Sequence, residues 1–217
     1  KASDLEVVGT AEGTGTIITF KPDAQIFETI EFDYDTLAAR SRELAFLNAG
    51  LTIIIVDKVH DRGDVFQFQG GIAEYVKWIN RAKTPLHPDP IRFTKESDGV
   101  FVEAALQYHD AYNESVFTFV NNIDTVEGGT HLVGFKAGLA RTFNNYAKEN
   151  KYLKRGEGLE GDDVREGLTA ILSVKIPDPQ FEGQTKMKLG NSEVRGIVES
   201  AVYEKLAEFF LENPKVA

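Results

Sequence analysis

IRFTKESDGVFVEAALQYHDAYNESVFTFVNN, residues 91–122, decides the architecture. It carries Ile, Val, Phe and Tyr in short bursts, broken by Asp98-Gly99 and by a polar step around Asn113. β-Branched and aromatic residues bounded by Asp, Asn and Gly predict strands joined by tight turns. Residues 91–97, 100–110 and 115–122 are therefore expected as consecutive strands of an antiparallel meander. The period then changes. In GTHLVGFKAGLARTFNNYAKE, residues 129–149, Leu132, Phe135, Leu139, Phe143 and Tyr146 or Ala147 recur at helical spacing. LTAILSVKI, 168–176, reads as a further strand ended by Pro177 and Pro179, and a last helix is expected over 192–211 with Val194, Ile197, Val198, Ala201 and Val202 on its apolar stripe.

Upstream, residues 14–20 (TGTIITF) read as a strand broken by Pro22. FDYDTLAARSRELAFLNAG, 32–50, reads as a helix opened by Asp33, with Leu37, Ser41, Leu44 and Leu47 or Asn48 on one face and Gly50 as its left-handed stop. LTIIIVD, 51–57, is expected as a strand buried on both faces, paired with 64–69 through a turn at 61–63. A short helix over 71–84 is ended by the stiff TPLHPDP. Helices mixed with runs of strands give an α+β class.

The 217 residues are 42% hydrophobic and 27% charged, a globular balance. There is no cysteine, which excludes disulfides and thiolate metal sites. The longest apolar run, 51–56, is far short of the ~20 residues that span a bilayer. The N-terminus lacks the apolar core of a signal peptide. A cytoplasmic protein with no membrane partner is expected. The net charge of −10 hides a basic stretch: Lys136, Arg141, Lys148, Lys151, Lys154 and Arg155 stand against Glu149 alone. By charge patterning this is a solvated helix face and loop.

Motifs for self-contained chemistry are absent. AEGTGTIITF, 11–20, has Ile18 where a dinucleotide fingerprint needs glycine, and no Gly-Lys-Ser/Thr of a P-loop. His60, His87, His109 and His131 are scattered without metal-ligand spacing. EGDDVREG, 160–167, lacks the alternation of a calcium loop. What remains is PQFEGQTKMKLGNSEV, 179–194, where Gly183 and Gly190 bracket Gln184-Thr185-Lys186. Lysine on such a loop offers a mobile point charge to a phosphate, and glutamine adds a donor and an acceptor. A plain solvated loop fits the same residues.

Several blocks, in order and over nearly the whole chain, share one resemblance. They are RSRELAFLNAGLTI (40–53), GGI (70–72) with KTPLHPDP (83–90), NNIDTVEGGTHLVGF (121–135), GDDVREGLTAILSVKIPDPQFEGQTKMKLGNSEV (161–194) and LAEFFLENP (206–214). Together they resemble the DNA gyrase B family of type IIA topoisomerases, in the transducer region after the GHKL ATP-binding domain. RELAFLNAG leans toward gyrase over its paralogue, topoisomerase IV. The resemblance implies a two-layer α/β sandwich with a left-handed βαβ crossover over 21–217, and a remnant of the ATP-binding domain, its last strand, over 1–20.

It further implies coupling of ATP binding and hydrolysis to DNA strand passage and negative supercoiling. Gln184 and Lys186 would contact the ATP γ-phosphate, with Lys186 also stabilising transition-state charge. Gly15 and Thr16 would line the adenine side of the pocket, where aminocoumarin inhibitors bind. ATP and Mg²⁺ would serve the longer protein, with none bound by this stretch alone, which is expected to be inactive. The implied partners are DNA, the DNA gyrase A protein and a second copy of the gyrase B protein. The basic stretch would then face DNA, and the setting would be the cytoplasm, at the nucleoid.

Overall fold

A strand that is apolar on both faces needs cover on both, and Leu168–Lys175 has it, buried along all but its last residue. The computed structural model describes residues 4, 6–10 and 12–217. In chain order these form α1 (Tyr34–Leu47), β1 (Ile53–Asp57), β2 (Arg62–Phe66), α2 (Gly71–Ile79), β3 (Ile91–Ser97), β4 (Val100–Tyr108), β5 (Ser115–Val120), β6 (Ile123–Asp124), α3 (Thr130–Glu149), β7 (Leu168–Lys175) and α4 (Ser192–Glu212). The chain divides into two units, Lys1–Tyr34 and Asp35–Ala217.

In the first unit, residues 14–20, expected as a strand, form no strand and have no ladder partner among the described residues, and Ile17, Ile18 and Phe20 are exposed. A strand exists only where a neighbour takes up its N–H and C=O groups. The phenyl rings of Phe20 and Phe32 meet edge to face at 6.0 Å.

The second unit is built on a five-stranded sheet of order β3-β4-β7-β5-β6. The expected meander is corrected here. β3 and β4 form the hairpin, with Ser97 opposite Val100, but β4 pairs antiparallel with β7 and not with β5. β5 lies on the far side of β7 and parallel to it, Phe117 opposite Ile171. A parallel pair needs a crossover, and α3 supplies it. The physical reason lies in β7, which is buried on both faces along nearly its whole length and so belongs at the sheet centre.

One face of the sheet, through Val102, Leu106, Ala170, Leu172 and Val174, packs against α3 and α4. Gly134 and Gly138 let these two helices touch, since a Cβ at Gly134 would lie 2.3 Å from the Arg195 carbonyl oxygen and one at Gly138 2.7 Å from Val202 Cβ. The other face, through Ala105, Phe119 and Ile171, is covered by α2 and the end of α1. The expected two-layer sandwich thus carries a further apolar layer. There Phe46 stacks between Phe68 at 3.6 Å and Tyr75 at 4.6 Å. Each such buried side chain contributes about 1.5–3 kcal/mol.

Two smaller expectations are corrected. Of the expected face of α1, Leu47 is buried, Ser41 and Leu44 are half-buried and Leu37 is exposed, while Ala38, Ala45 and Phe46 are buried in addition. β1 is covered on one side only, with Ile54 and Val56 exposed, because it pairs with β2 in a ribbon of its own rather than in the main sheet. No helix of the described residues is long and apolar enough to cross a membrane.

Candidate functional site

The polar stretch after β7 is a hairpin, and its base is built into the core. Phe181 and Leu189 form an antiparallel bridge, Gly190 N–H donates to Gln180 O at 2.7 Å, and Glu182 N–H donates to Lys188 O at 3.0 Å. Lys188 Nζ and Glu182 carboxylate pair across the arms at 3.0 Å. At the tip, Lys186 N–H donates to Gly183 O at 3.0 Å, which closes a turn with Gln184 and Thr185 at its centre.

The returning arm is fastened to the segment that opens α3. Leu189 N–H donates to Gly128 O at 3.0 Å, Thr130 N–H to Leu189 O at 3.1 Å, and Glu127 N–H to Met187 O at 3.0 Å. Leu189 is 1% exposed. Gly129 makes this approach possible: at φ +128, a Cβ there would lie 2.3 Å from Leu189 O. No side chain fits.

Beneath this anchor sits His131, fully buried, with Nε2 3.0 Å from Thr125 Oγ1, itself 2.8 Å from Thr118 Oγ1. Burial pushes the His131 imidazole down to about 4, so it is neutral at pH 7. Of the other histidines, His60 is exposed against Asp57, while His87 and His109 are buried around β4.

Asn191, immediately before α4, is buried at 6% exposure. Its Oδ1 accepts from Gln180 N–H at 2.7 Å, and its Nδ2 donates to Asp178 O at 3.3 Å and Glu193 Oε1 at 2.8 Å. The last bond helps hold the Glu193 carboxyl below its usual range. The side chain does not cap α4. Sequence reading gave Asn191 no role and left Leu189 and Gly129 without one. A buried asparagine at a loop-to-helix junction leaves no periodic signature. The paired Gly128-Gly129 was the available clue.

The tip differs from this base. Gln184, Thr185 and Lys186 are exposed, and their side chains make no hydrogen bond or ion pair among the described residues. Lys186 holds φ +58, the left-handed region that non-glycine residues enter at a cost of roughly 1–2 kcal/mol. An uncommitted ammonium and amide fit a terminal phosphate. No group of three His, Asp or Glu among the described residues fits a metal such as Mg²⁺.

The remaining sequence candidates are dispersed. Gly15 and Thr16 lie exposed in the first unit, outside any helix or strand. Of the basic stretch, Lys136 is committed to Glu114 at 3.1 Å. Arg141 faces Glu199 at 3.9 Å and lies 4.1 Å over the Tyr203 ring. Lys148, Lys151, Lys154 and Arg155 are exposed at the end of α3 and in the loop that follows, in no ion pair among the described residues. The structure thus splits the six into two that face carboxylates of the same chain, Arg141 remaining exposed, and an exposed group of four without such partners among the described residues.

The comparisons with known proteins agree on one family. A family model described as DNA gyrase B matches residues 71–217. The DNA gyrase B protein of Halalkalibacterium halodurans is 55% identical over all of this chain, which spans 34% of that relative's length. Among solved structures, the 43K ATPase domain of Thermus thermophilus gyrase B, in complex with an aminocoumarin, superposes with a TM-score of 0.78 at 40% identity, covering 91% of this chain and 53% of that one. The topoisomerase IV ATP-binding domain of Francisella tularensis, with a small-molecule inhibitor, gives 0.75 at 26% identity over 90% of this chain and 53% of that one.

Proposed function

Because the chain belongs to the DNA gyrase B family, we propose that it works as the transducer of an ATP-hydrolysing type II topoisomerase. It reports the state of a bound nucleotide to the elements that move DNA. The observation that carries this is the hairpin tip: Gln184 and Lys186 are bare, while everything that holds them is buried or bonded. A loop kept only for connection has no reason to be rooted so firmly or to hold a lysine at positive φ.

Lys186 donates a charge-assisted hydrogen bond to a terminal phosphate, and Gln184 adds an amide bond beside it. Each is worth about 1.5–3 kcal/mol once desolvated. ATP supplies the phosphoryl group on which the charge develops, and Lys186 stabilises that charge from a fixed position. The contact exists before hydrolysis and is lost after it, so it biases one arrangement of the chain over another. α4 starts directly beyond Asn191 and carries the displacement onward as a rod.

Gly15 and Thr16 are assigned to the adenine side of the pocket, which upstream residues would complete and where an aminocoumarin would compete. Mg²⁺ is assigned to residues outside this chain. The partners are DNA, the DNA gyrase A protein and a second gyrase B protein. The exposed group Lys148, Lys151, Lys154 and Arg155 favours a DNA-facing role for the end of α3, whereas Lys136 and Arg141 already face carboxylates of this chain. Among the solved structures, the identity of 40% to the Thermus thermophilus gyrase B against 26% to the Francisella tularensis topoisomerase IV favours supercoiling over decatenation.

The test is Lys186→Ala in the longer protein that includes the nucleotide-binding domain. ATP turnover is expected to fall about 100-fold or more, as when one transition-state donor is removed. Wild-type turnover would sink the reading. Calorimetry on the 217-residue chain alone is expected to show no ATP binding. Replacing Lys148, Lys151 and Lys154 with Glu is expected to weaken DNA stimulation of the ATPase, most clearly at low salt. Unchanged stimulation would return these residues to a solvated surface.

A further inference from the structure

A charge at the tip of a hairpin acts at a defined point only if both arms are held. The returning arm is held by backbone, through Leu189 and the Gly128-Gly129 segment. The outgoing arm has no such backing. Apart from its bonds to the facing arm, its hydrogen bonds among the described residues run to one side chain, Asn191. That amide takes the Gln180 N–H and the Asp178 carbonyl together, and its remaining N–H goes to Glu193 in the first turn of α4. It is nine-tenths buried, so water does not compete for these bonds. It also leaves the backbone of α4 uncapped, so its polar atoms serve the loop and Glu193.

We propose that Asn191 is a positioning residue: it locks the outgoing arm of the hairpin to the head of α4, so that the tip and the helix move as one body. The lock stands on the geometry of the base alone. Its consequence for turnover rests on the phosphate-sensing reading of Gln184 and Lys186. A helix that merely followed a flexible loop would receive no displacement from the tip. With the amide in place, a pull on Gln180 loads the start of α4 directly. Asn191 touches no reacting atom.

The experiment pairs two readouts. Hydrogen–deuterium exchange on the 217-residue chain compares wild type with Asn191→Ala and Asn191→Asp. The alanine variant is expected to speed exchange of the amides of Gln180, Glu182 and Gly190 about tenfold or more, with β7 and the middle of α4 unchanged. The aspartate keeps an acceptor for Gln180 N–H and is expected to recover part of the protection. In the longer protein, kcat for ATP hydrolysis is expected to fall about tenfold with KM little changed, since the charge is misplaced rather than removed.

Wild-type exchange at those amides in the alanine variant overturns the lock. Faster exchange with unchanged kcat, where Lys186→Ala still abolishes turnover, overturns its role in coupling. Faster exchange with turnover intact in both Asn191→Ala and Lys186→Ala keeps the lock and removes the phosphate reading instead. If the alanine chain does not fold, the aspartate variant, which loses the bonds to Asp178 and Glu193, decides: partial loss of protection at the same amides keeps the lock, and wild-type exchange overturns it.

Discussion

The base and the tip of the 179–190 hairpin are a few residues apart and obey opposite rules. At the base, Leu189 is buried, Gly129 admits no Cβ, and Asn191 spends its whole amide on the fold. At the tip, Gln184 and Lys186 are exposed and uncommitted. A lever needs a stiff fulcrum and a free end. Substitutions at the base should therefore register in stability, and those at the tip in chemistry.

The largest stability effect is expected from Leu189→Ala. The side chain is fully enclosed between the hairpin and the start of α3, so its truncation should cost about 2–5 kcal/mol. For a unit of this size each kcal/mol lowers the melting temperature by roughly 2–4 °C. Thermal denaturation checks this. An unchanged melting point would mean that the base is no better anchored than the tip, and the contrast would fail.

Next comes acid. His131 is neutral and buried directly beneath the anchor, its folded value depressed from 6.5 to about 4. The unfolded chain therefore takes up a proton that the folded chain refuses. The stability this residue supports is complete above pH 6.5 and is lost as pH falls toward 4, by roughly 3 kcal/mol in all. Between pH 7 and 4 the wild type should lose about that much more stability than His131→Gln, a comparison in which the carboxylates cancel. Equal losses in both proteins would remove the titration from the anchor.

Much of this was legible in the sequence, and the gaps have physical causes. The helical periods of 129–149 and 192–211 agree with α3 and α4, because an amphipathic helix writes its buried face into its own spacing. Strand pairing is not written locally. Residues 100–122 read as a meander because nothing in them shows that β7, some fifty residues on, inserts between β4 and β5. Only the resemblance carried the βαβ crossover. At the site, Gln184 and Lys186 stood out by chemistry, whereas Asn191 matters through Gln180, Asp178 and Glu193 and Gly129 through Leu189, contacts that a lone sequence does not name. The basic stretch was read as one feature. The fold divides it, since Glu114 and Glu199 reach Lys136 and Arg141 from elsewhere in the chain.

The smallest effect separates tip from base most sharply, because its sign is reversed. Lys186 sits at φ +58, where an L-residue is strained by roughly 1–2 kcal/mol and glycine is not. Glycine gives part of that back, since it loses about 0.5–1 kcal/mol more conformational entropy on folding. Lys186→Gly should therefore raise stability slightly, by up to about 1 kcal/mol, or a melting point roughly 2–4 °C higher. Lys186→Ala keeps the strain and should leave the melting point where it is. Both variants should lose ATP turnover alike in the longer protein, because both remove the ammonium. A lower melting temperature in the glycine variant would show that the lysine side chain supports the fold, and the tip would then belong with the base. A higher one, with turnover gone, would mean that the chain retains a strained residue at the position where its charge is needed.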